Sequence, residues 1–300
     1  MNYQEFLKTK MIGFEPSGFE MQSVNSKLFD WQSDIDRWLL KKGRAALFAD
    51  CGLGKTPMQL HWAQEVVKHT GKPVLILAPL AVAQQTFREG KKFDIEIAVC
   101  REMSAVLYDR PDIANYEMLQ HFDASKFGGV VLDESSILKH HDSKTRQALT
   151  DAFKDTPYKL CCTATPSPND FMELGTHAQF LGVMSQTEML ATFFVHDGGD
   201  TAKWRLKGHA EAKFFEWVAS WACCLTKPQD LGYEQDGYDL PQLNVHEIVI
   251  KSDNLVDADG QMMLLSETTQ GLNERRAARR YSIDARIKKA AEIALLKALG

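Results

Sequence analysis

The run Ala49-Asp50-Cys51-Gly52-Leu53-Gly54-Lys55-Thr56 holds the residue types that a triphosphate site needs. Gly52 and Gly54 let a backbone curl until its N–H groups point inward at phosphate oxygens. A helix that opens at the end of such a loop adds the positive end of its dipole. Lys55 is then expected to reach the β- and γ-phosphates, and the Thr56 hydroxyl to face Mg²⁺. Gly52, Leu53, Gly54, Lys55 and Thr56 are the expected binding residues, and Ala49 stands where the general pattern has its first glycine. Further along, Gly129-Val130-Val131-Leu132-Asp133-Glu134 is an apolar run ending in two acids. If that end lies beside the loop, Asp133 holds the metal through its water shell and Glu134 polarises an attacking water. Lys55, Asp133 and Glu134 are thus the candidate catalytic set, with Thr56 and Asp133 on the metal side. In Cys161-Cys162-Thr163-Ala164-Thr165-Pro166, Thr163 and Thr165 could bond those acids and sense the γ-phosphate. A plain strand running into a turn gives the same pattern.

These groups converge only if a particular architecture carries them. Short apolar runs alternate with longer helical patterns, which reads as α/β. Buried strands are expected at 45–49, 74–78, 95–100, 130–133 and 160–163, and helices at 58–69 and 144–153. The strands are near-continuous apolar runs, as suits a parallel sheet covered on both faces. Residues 193–209 mix aromatics, glycine and charge and read as a loop or insertion. Residues 212–224 read as an aromatic helix, 244–250 alternate like a strand, and the last thirty or so look helical.

Composition limits the alternatives. The 300 residues are 44% hydrophobic and 25% charged with net charge −5, ordinary globular material that argues mildly against coating a duplex by overall charge. The basic cluster from Arg275 to Arg280 reads as a solvated helix face or as a contact to phosphates or another lobe. Six cysteines show no metal spacing and read as free thiols. His140-His141-Asp142 lacks a third spaced ligand and reads as a solvated loop. Trp204, Phe214, Phe215, Trp217 and Trp221 read as packed core in preference to a base-stacking platform. With no leader pattern after Met1 and no membrane-length apolar window, the expectation is a cytoplasmic protein without a membrane partner.

Taken together, these motifs resemble the superfamily-two helicases and, within them, the Swi/Snf-type DNA translocases, particularly phage and bacterial members. Leu28-Phe29-Asp30-Trp31-Gln32, with Trp38-Leu39-Leu40, is similar to the family segment whose glutamine reads adenine, and Gln32 falls on that glutamine. Leu77-Ala78-Pro79-Leu80-Ala81-Val82 and Asn115-Tyr116-Glu117-Met118-Leu119 look like the two DNA-contacting motifs. The resemblance therefore implies Pro79, Leu80, Asn115 and Tyr116 as nucleic-acid residues. Asp133-Glu134-Ser135-Ser136-Ile137-Leu138-Lys139, trailed by Ser143-Lys144-Thr145, is similar to the DEAH-type box, with Ser135-Ser136 replacing the usual Ala-His or Ala-Gln. Thr163-Ala164-Thr165-Pro166 matches the motif that couples hydrolysis to movement.

The likeness spans roughly 26–185 and thins over 227–250, where KPQDLGY and DLPQLNVHEIVI look like the passage towards a second lobe. It implies an α/β, RecA-like P-loop domain with a parallel sheet covered by helices, plus a helical insertion and the start of a linker. The implied division is an N-terminal extension (1–25), a RecA-like lobe (26–190), an aromatic helical remainder (191–240) and a linker (241–300). The implied activity is ATP hydrolysis with Mg²⁺ coupled to nucleic acid, most simply duplex DNA. The second lobe's motifs, including its arginine finger, are not found, so a truncated or split enzyme is expected, completed by a second lobe or partner subunit. An RNA or single-strand helicase, and a nucleotide-binding module that needs a partner, stay open. A P-loop small-molecule kinase is disfavoured by Gln32 and the TATP segment.

Overall fold

The computed structural model describes residues 14–139, 144–197, 200–234, 237–238, 242, 245–250, 276, 279–280 and 282–298. The chain divides into two units, Met1–Tyr238 and Asp239–Gly300. In the first, the helices are α1 (Asp30–Lys42), α2 (Lys55–Thr70), α3 (Ala83–Lys92), α4 (Lys144–Ala152), α5 (Leu174–Leu181), α6 (Gln186–Phe193) and α7 (Glu211–Ala219). The strands are β1 (Arg44–Ala49), β2 (Val74–Ala78), β3 (Ala98–Val99), β4 (Pro111–Asn115), β5 (Gly129–Asp133), β6 (Tyr158–Thr163), β7 (Phe194–Asp197), β8 (Asp200–Leu206) and β9 (Ala222–Leu225). The second unit contains α8 (Ile283–Ala298).

Seven strands form one sheet in the order β3-β4-β2-β5-β6-β1-β9, and every pairing is parallel. Alternation along each strand feeds two cores. Ala46, Phe48, Leu75 and Leu77 pack with Phe180, Phe193, Phe214, Trp217 and Trp221 on one face. Ala45, Leu47, Val74 and Ile76 pack with Trp31, Leu39, Leu60, Trp62 and Val66 on the other. Burial on both faces is why β2, VLILA, has no polar position. Because the strands run parallel, all their C-terminal ends meet at one edge of the sheet, where open α/β sheets place their sites.

Several sequence expectations change. The 95–100 strand shrinks to Ala98–Val99 at the sheet edge, with Asp94 in the left-handed region (φ 55°) just before it. Residues 193–209 contain the antiparallel β7–β8 hairpin in place of a loop, with His196 over Trp204 at 3.7 Å. The 212–224 helix stops at Ala219: Ser220 turns its hydroxyl back onto Trp217 O (2.7 Å), and the chain enters β9 beside β1. Of the expected strand at 244–250, residues 245–250 have no regular structure and Asn244 lies outside the described residues. β4, absent from the expectations, sits between β3 and β2.

Phe214, Trp217 and Trp221 are buried, whereas Phe215 is 41% exposed. Residues 17–19 cap α1: the N–H groups of Ser17, Gly18 and Phe19 donate to the carbonyls of Lys42, Lys41 and Leu40. Carbonyls that a helix end would leave unpaired are thereby satisfied. No helix of the described residues is long and apolar enough to cross a membrane.

Candidate active site

β1 ends at Ala49 and the next five residues turn into α2. Gly52 (φ 84°) and Gly54 (φ 76°, ψ 38°) lie in the left-handed region that disfavours a Cβ. At Gly54 there is a second reason for glycine: a Cβ would stand 2.4 Å from Gln32 Nε2. At Gly52 a Cβ would meet nothing within 4 Å. The Lys55 ammonium donates to Ala49 O (2.8 Å) and Asp50 O (3.1 Å). An ammonium has three protons, so one is left for a further acceptor. Leu53 is buried and its carbonyl accepts from Gln32 Nε2 (3.1 Å), while Gln32 Oε1 accepts the Phe29 N–H (3.1 Å). Thr56 is half-buried in the first turn of α2.

β5 delivers Asp133 to the same edge. Burial pushes its carboxyl above the ordinary aspartate value, and the Glu134 charge adds to this. The Gln59 amide, the Glu134 N–H and the Lys55 charge oppose it. Gln59 faces this carboxylate from α2 yet closes no well-formed hydrogen bond, its amide N and O both being unpaired. The Tyr116 hydroxyl donates to the Asp133 carbonyl at 2.7 Å. Glu134 takes φ 54°, a conformation costing a non-glycine residue about 1–2 kcal/mol. Its carboxylate accepts from the Thr163 hydroxyl (3.3 Å), which itself accepts the Thr165 N–H (3.1 Å). A short relay thus runs from the end of β6 to Glu134.

A family model described as the SNF2-related domain matches residues 25–195. The chain belongs to the SNF2-related domain family. Its parallel sheet is the RecA-like lobe of a superfamily-two, Snf2-type helicase. Among solved structures it is similar to a Sulfolobus solfataricus SWI2/SNF2 ATPase core in complex with dsDNA, with TM-score 0.56, 20% identity, and 69% of this chain and 47% of that one covered. It is also similar to a Sulfolobus solfataricus SWI2/SNF2 ATPase core domain, with TM-score 0.53, 21% identity, and coverage of 71% and 48%. Protein p41 of Acyrthosiphon pisum secondary endosymbiont phage 1 is 29% identical over 180 residues, 50% of this chain and 38% of that protein. The chain spans less than half the length of each of these three relatives.

In this SNF2-related domain the remaining predicted residues lie at the same sheet edge. Pro79 and the 72%-exposed Leu80 follow β2, and Asn115 ends β4, with Ala78 paired to Asn115. Tyr116 is buried, and its hydroxyl serves Asp133. Thr163 is buried and Thr165 exposed. Three partners were not foreseen: Gln59, Tyr116 in its contact with Asp133, and His177. Gln59 was findable, since it lies one turn after Lys55 on α2 and so on the same face. His177 was not. It comes from α5 to meet the Ser135 hydroxyl at 3.2 Å, with Nδ1 3.4 Å from Glu173 O and Phe48 edge-on. Burial holds this imidazole down to about 4, so it is neutral and accepts from Ser135.

Arg276, Arg279 and Arg280 are exposed in the second unit, and Arg275 lies outside the described residues, as do His140, His141 and Asp142. Among the described residues no cluster of three or more His, Cys, Asp or Glu could hold a metal ion, and the six cysteines are free.

Proposed function

We propose that the chain is the ATP-binding and ATP-hydrolysing half of a motor that works on duplex DNA. The observation that carries the reading is the convergence of Lys55, Asp133, Glu134 and Thr163 at one sheet edge, with Glu134 hydrogen-bonded to Thr163. Inward N–H groups of residues 52–56 and the Lys55 ammonium bind the triphosphate; Gln32 reads the base. The donor set fits Mg²⁺: Thr56 offers a hydroxyl and Asp133 a carboxylate, hard oxygen ligands, and Asp133 is buried beside a second acid where a cation relieves repulsion. Bound there, Mg²⁺ would supply neutralisation of the phosphate charge.

Glu134 orients water and takes its proton as the water oxygen bonds to the γ-phosphorus and the bond to the β,γ-bridging oxygen breaks. Thr163, held by Thr165, links that carboxylate to β6 and gives hydrolysis a route to the neighbouring segment. Pro79, Leu80 and Asn115 are the proposed DNA-side residues; the buried Tyr116 contributes by fixing Asp133. Residues from a second lobe or partner subunit close over the γ-phosphate. Such a finger is worth about 10³–10⁵ in rate in related NTPases. The motor works in the cytoplasm of the cell that carries its DNA.

The test is Lys55→Ala with ATP binding and turnover measured on duplex DNA, single strands and RNA. ATP affinity or turnover is expected to collapse in the variant, and stimulation to be greatest with the duplex. Wild-type ATP handling by Lys55→Ala defeats the reading. A second reading, a nucleotide-binding module that turns over only with its partner, is favoured by the partial coverage of the SWI2/SNF2 cores. It predicts ATP binding without DNA-stimulated turnover.

A further inference from the structure

In sequence the segment KPQDLGY looks like the passage towards a second lobe. In the structure it leaves β9 beside the phosphate loop and packs against α1. β9 is the edge strand beside β1, with Leu225 opposite Ala49, and the Leu225 carbonyl accepts the Asp50 N–H at 3.1 Å. The strand ladder therefore continues one residue into the phosphate loop. The chain then turns on Asp230, whose carboxylate accepts the Thr226 N–H (2.6 Å), the Thr226 hydroxyl (2.8 Å) and the Lys227 N–H (3.0 Å). Gly232, at φ 81°, ends that turn.

Two tyrosines follow, and both grip α1. The Tyr233 hydroxyl donates to Asp34. Tyr238 stands edge-on to the buried Trp31, with ring centres 5.9 Å apart, and Phe29 stacks on Trp31 at 6.3 Å. Residues 31 and 34 flank Gln32, whose amide already spans Phe29 N–H and Leu53 O. An amide carries two donor protons and two acceptor lone pairs, so each end of Gln32 keeps capacity for a base edge. Bidentate recognition depends on where α1 holds that amide, and Tyr233 and Tyr238 hold α1. Tyr238 is also the last residue of the first unit.

We propose that residues 226–234, together with Tyr238, are a positioning strap for the base side of the nucleotide site, with Tyr233 and Tyr238 fixing the helix that carries Gln32. The proposal rests on the reading of Gln32 as the adenine-reading residue. Its consequence is that ATP-over-GTP selectivity is set from the point where the chain leaves the first unit.

The experiment measures ATP and GTP affinities of the whole 300-residue chain by competition with a fluorescent adenine nucleotide. Tyr238→Ala is expected to weaken ATP about three- to tenfold, the worth of one aromatic pair, and to leave GTP unchanged. Tyr238→Phe, which keeps the edge-on ring, restores the preference. Tyr233→Phe, which removes one hydroxyl, lowers the ATP:GTP ratio and carries the test if Tyr238→Ala does not fold. Equal losses for ATP and GTP, or an unchanged ratio in folded variants, overturn the proposal. Gln32→Ala separates the two readings. If it abolishes the preference while Tyr238→Ala and Tyr233→Phe leave it intact, the strap alone is wrong. If Gln32→Ala leaves the preference intact, or the wild type has none, the reading of Gln32 is wrong and the strap falls with it.

Discussion

Gly52 and Gly54 share a backbone conformation but differ in surroundings, so alanine at each should separate backbone strain from displacement of a functional side chain. Both sit at positive φ, where a Cβ costs about 1–2 kcal/mol. At Gly52 that is the whole stability cost, because nothing lies within 4 Å of the new methyl. At Gly54 the methyl arrives 2.4 Å from Gln32 Nε2. The amide is the far end of a flexible side chain and can move, but moving breaks its 3.1 Å bond to Leu53 O in a site only 4% exposed. A buried polar group left without its partner costs about 1–3 kcal/mol. Gly54→Ala is therefore expected to destabilise by about 2–5 kcal/mol in all. In a domain of this size each kcal/mol moves Tm by roughly 2–4 °C, giving about 2–8 °C for Gly52→Ala and about 4–20 °C for Gly54→Ala. Calorimetry or circular dichroism reads the melting, and nucleotide competition reads the rest. Gly52→Ala should weaken ATP and GTP alike, because its methyl intrudes on the phosphates. Gly54→Ala should also erode the preference for ATP. Equal melting shifts, or a Gly54→Ala variant that still prefers ATP, would refute the reasoning.

Glu134→Gln keeps shape but cannot take a proton; ATP binding should persist while hydrolysis falls roughly 10²–10⁴-fold, and normal turnover would remove Glu134 as the base. Cys51 is an exposed thiol on the phosphate loop and Cys224 an exposed thiol elsewhere. ATP should slow iodoacetamide modification at Cys51 and not at Cys224, read by peptide mass mapping. The buried Asp36 and His61 meet at 2.8 Å, with His61 Nε2 donating to Ser23 O at 3.1 Å. Burial pushes Asp36 up to about 7; for His61 burial pulls down, but the Asp36 bond and charge outweigh it and the net is a rise from 6.5. Both groups hold protons more tightly folded than unfolded: the Asp36 contribution is complete below its ordinary 3.8 and is lost as pH rises through about 7, and the His61 contribution is complete below 6.5 and is lost as pH rises through its raised value. Urea midpoints should fall across that window, and the fall should vanish in the Asp36→Asn, His61→Gln double variant.

The legible parts of this chain were those where chemistry and local pattern coincide. A glycine-rich turn between an apolar run and a helix can be read from spacing alone, and so can two acids closing a five-residue strand. β4 was hidden because Pro111 and Asp112 interrupt its pattern. In the sheet Asp112 is fully buried, its carboxyl pushed up to about 6, with Cys100 Sγ at 3.0 Å. β9 was hidden because Trp217 and Trp221 keep helical spacing up to the turn, and only pairing with β1 pulls the next residues into an extended strand. Contacts such as Ser135 to His177 and Tyr233 to Asp34 join residues far apart in sequence, and no periodicity reports such contacts.

The same long-range bonding explains how one helix can aim both Lys55 and Gln59. α2 presents these residues to the sheet edge while its next turns are anchored elsewhere. Glu65, buried, accepts the Gln22 N–H (2.8 Å), the Ser23 N–H (3.0 Å), the Ser23 hydroxyl (2.6 Å) and the Lys68 ammonium (2.9 Å). Burial raises its carboxyl, but these donors outweigh burial and hold it below the ordinary glutamate value, so Glu65 stays charged at neutral pH. His61, between Glu65 and the loop, binds Asp36 of α1. The segment before α1 thus grips α2 through Glu65, α1 grips it through His61, and Tyr233 and Tyr238 grip α1. Phosphoryl transfer depends on positioning far more than on covalent participation by the protein. In this lobe that positioning is carried by segments on either side of the phosphate loop and the two acids: Gln22 and Ser23 before α1, and Tyr233 and Tyr238 after β9.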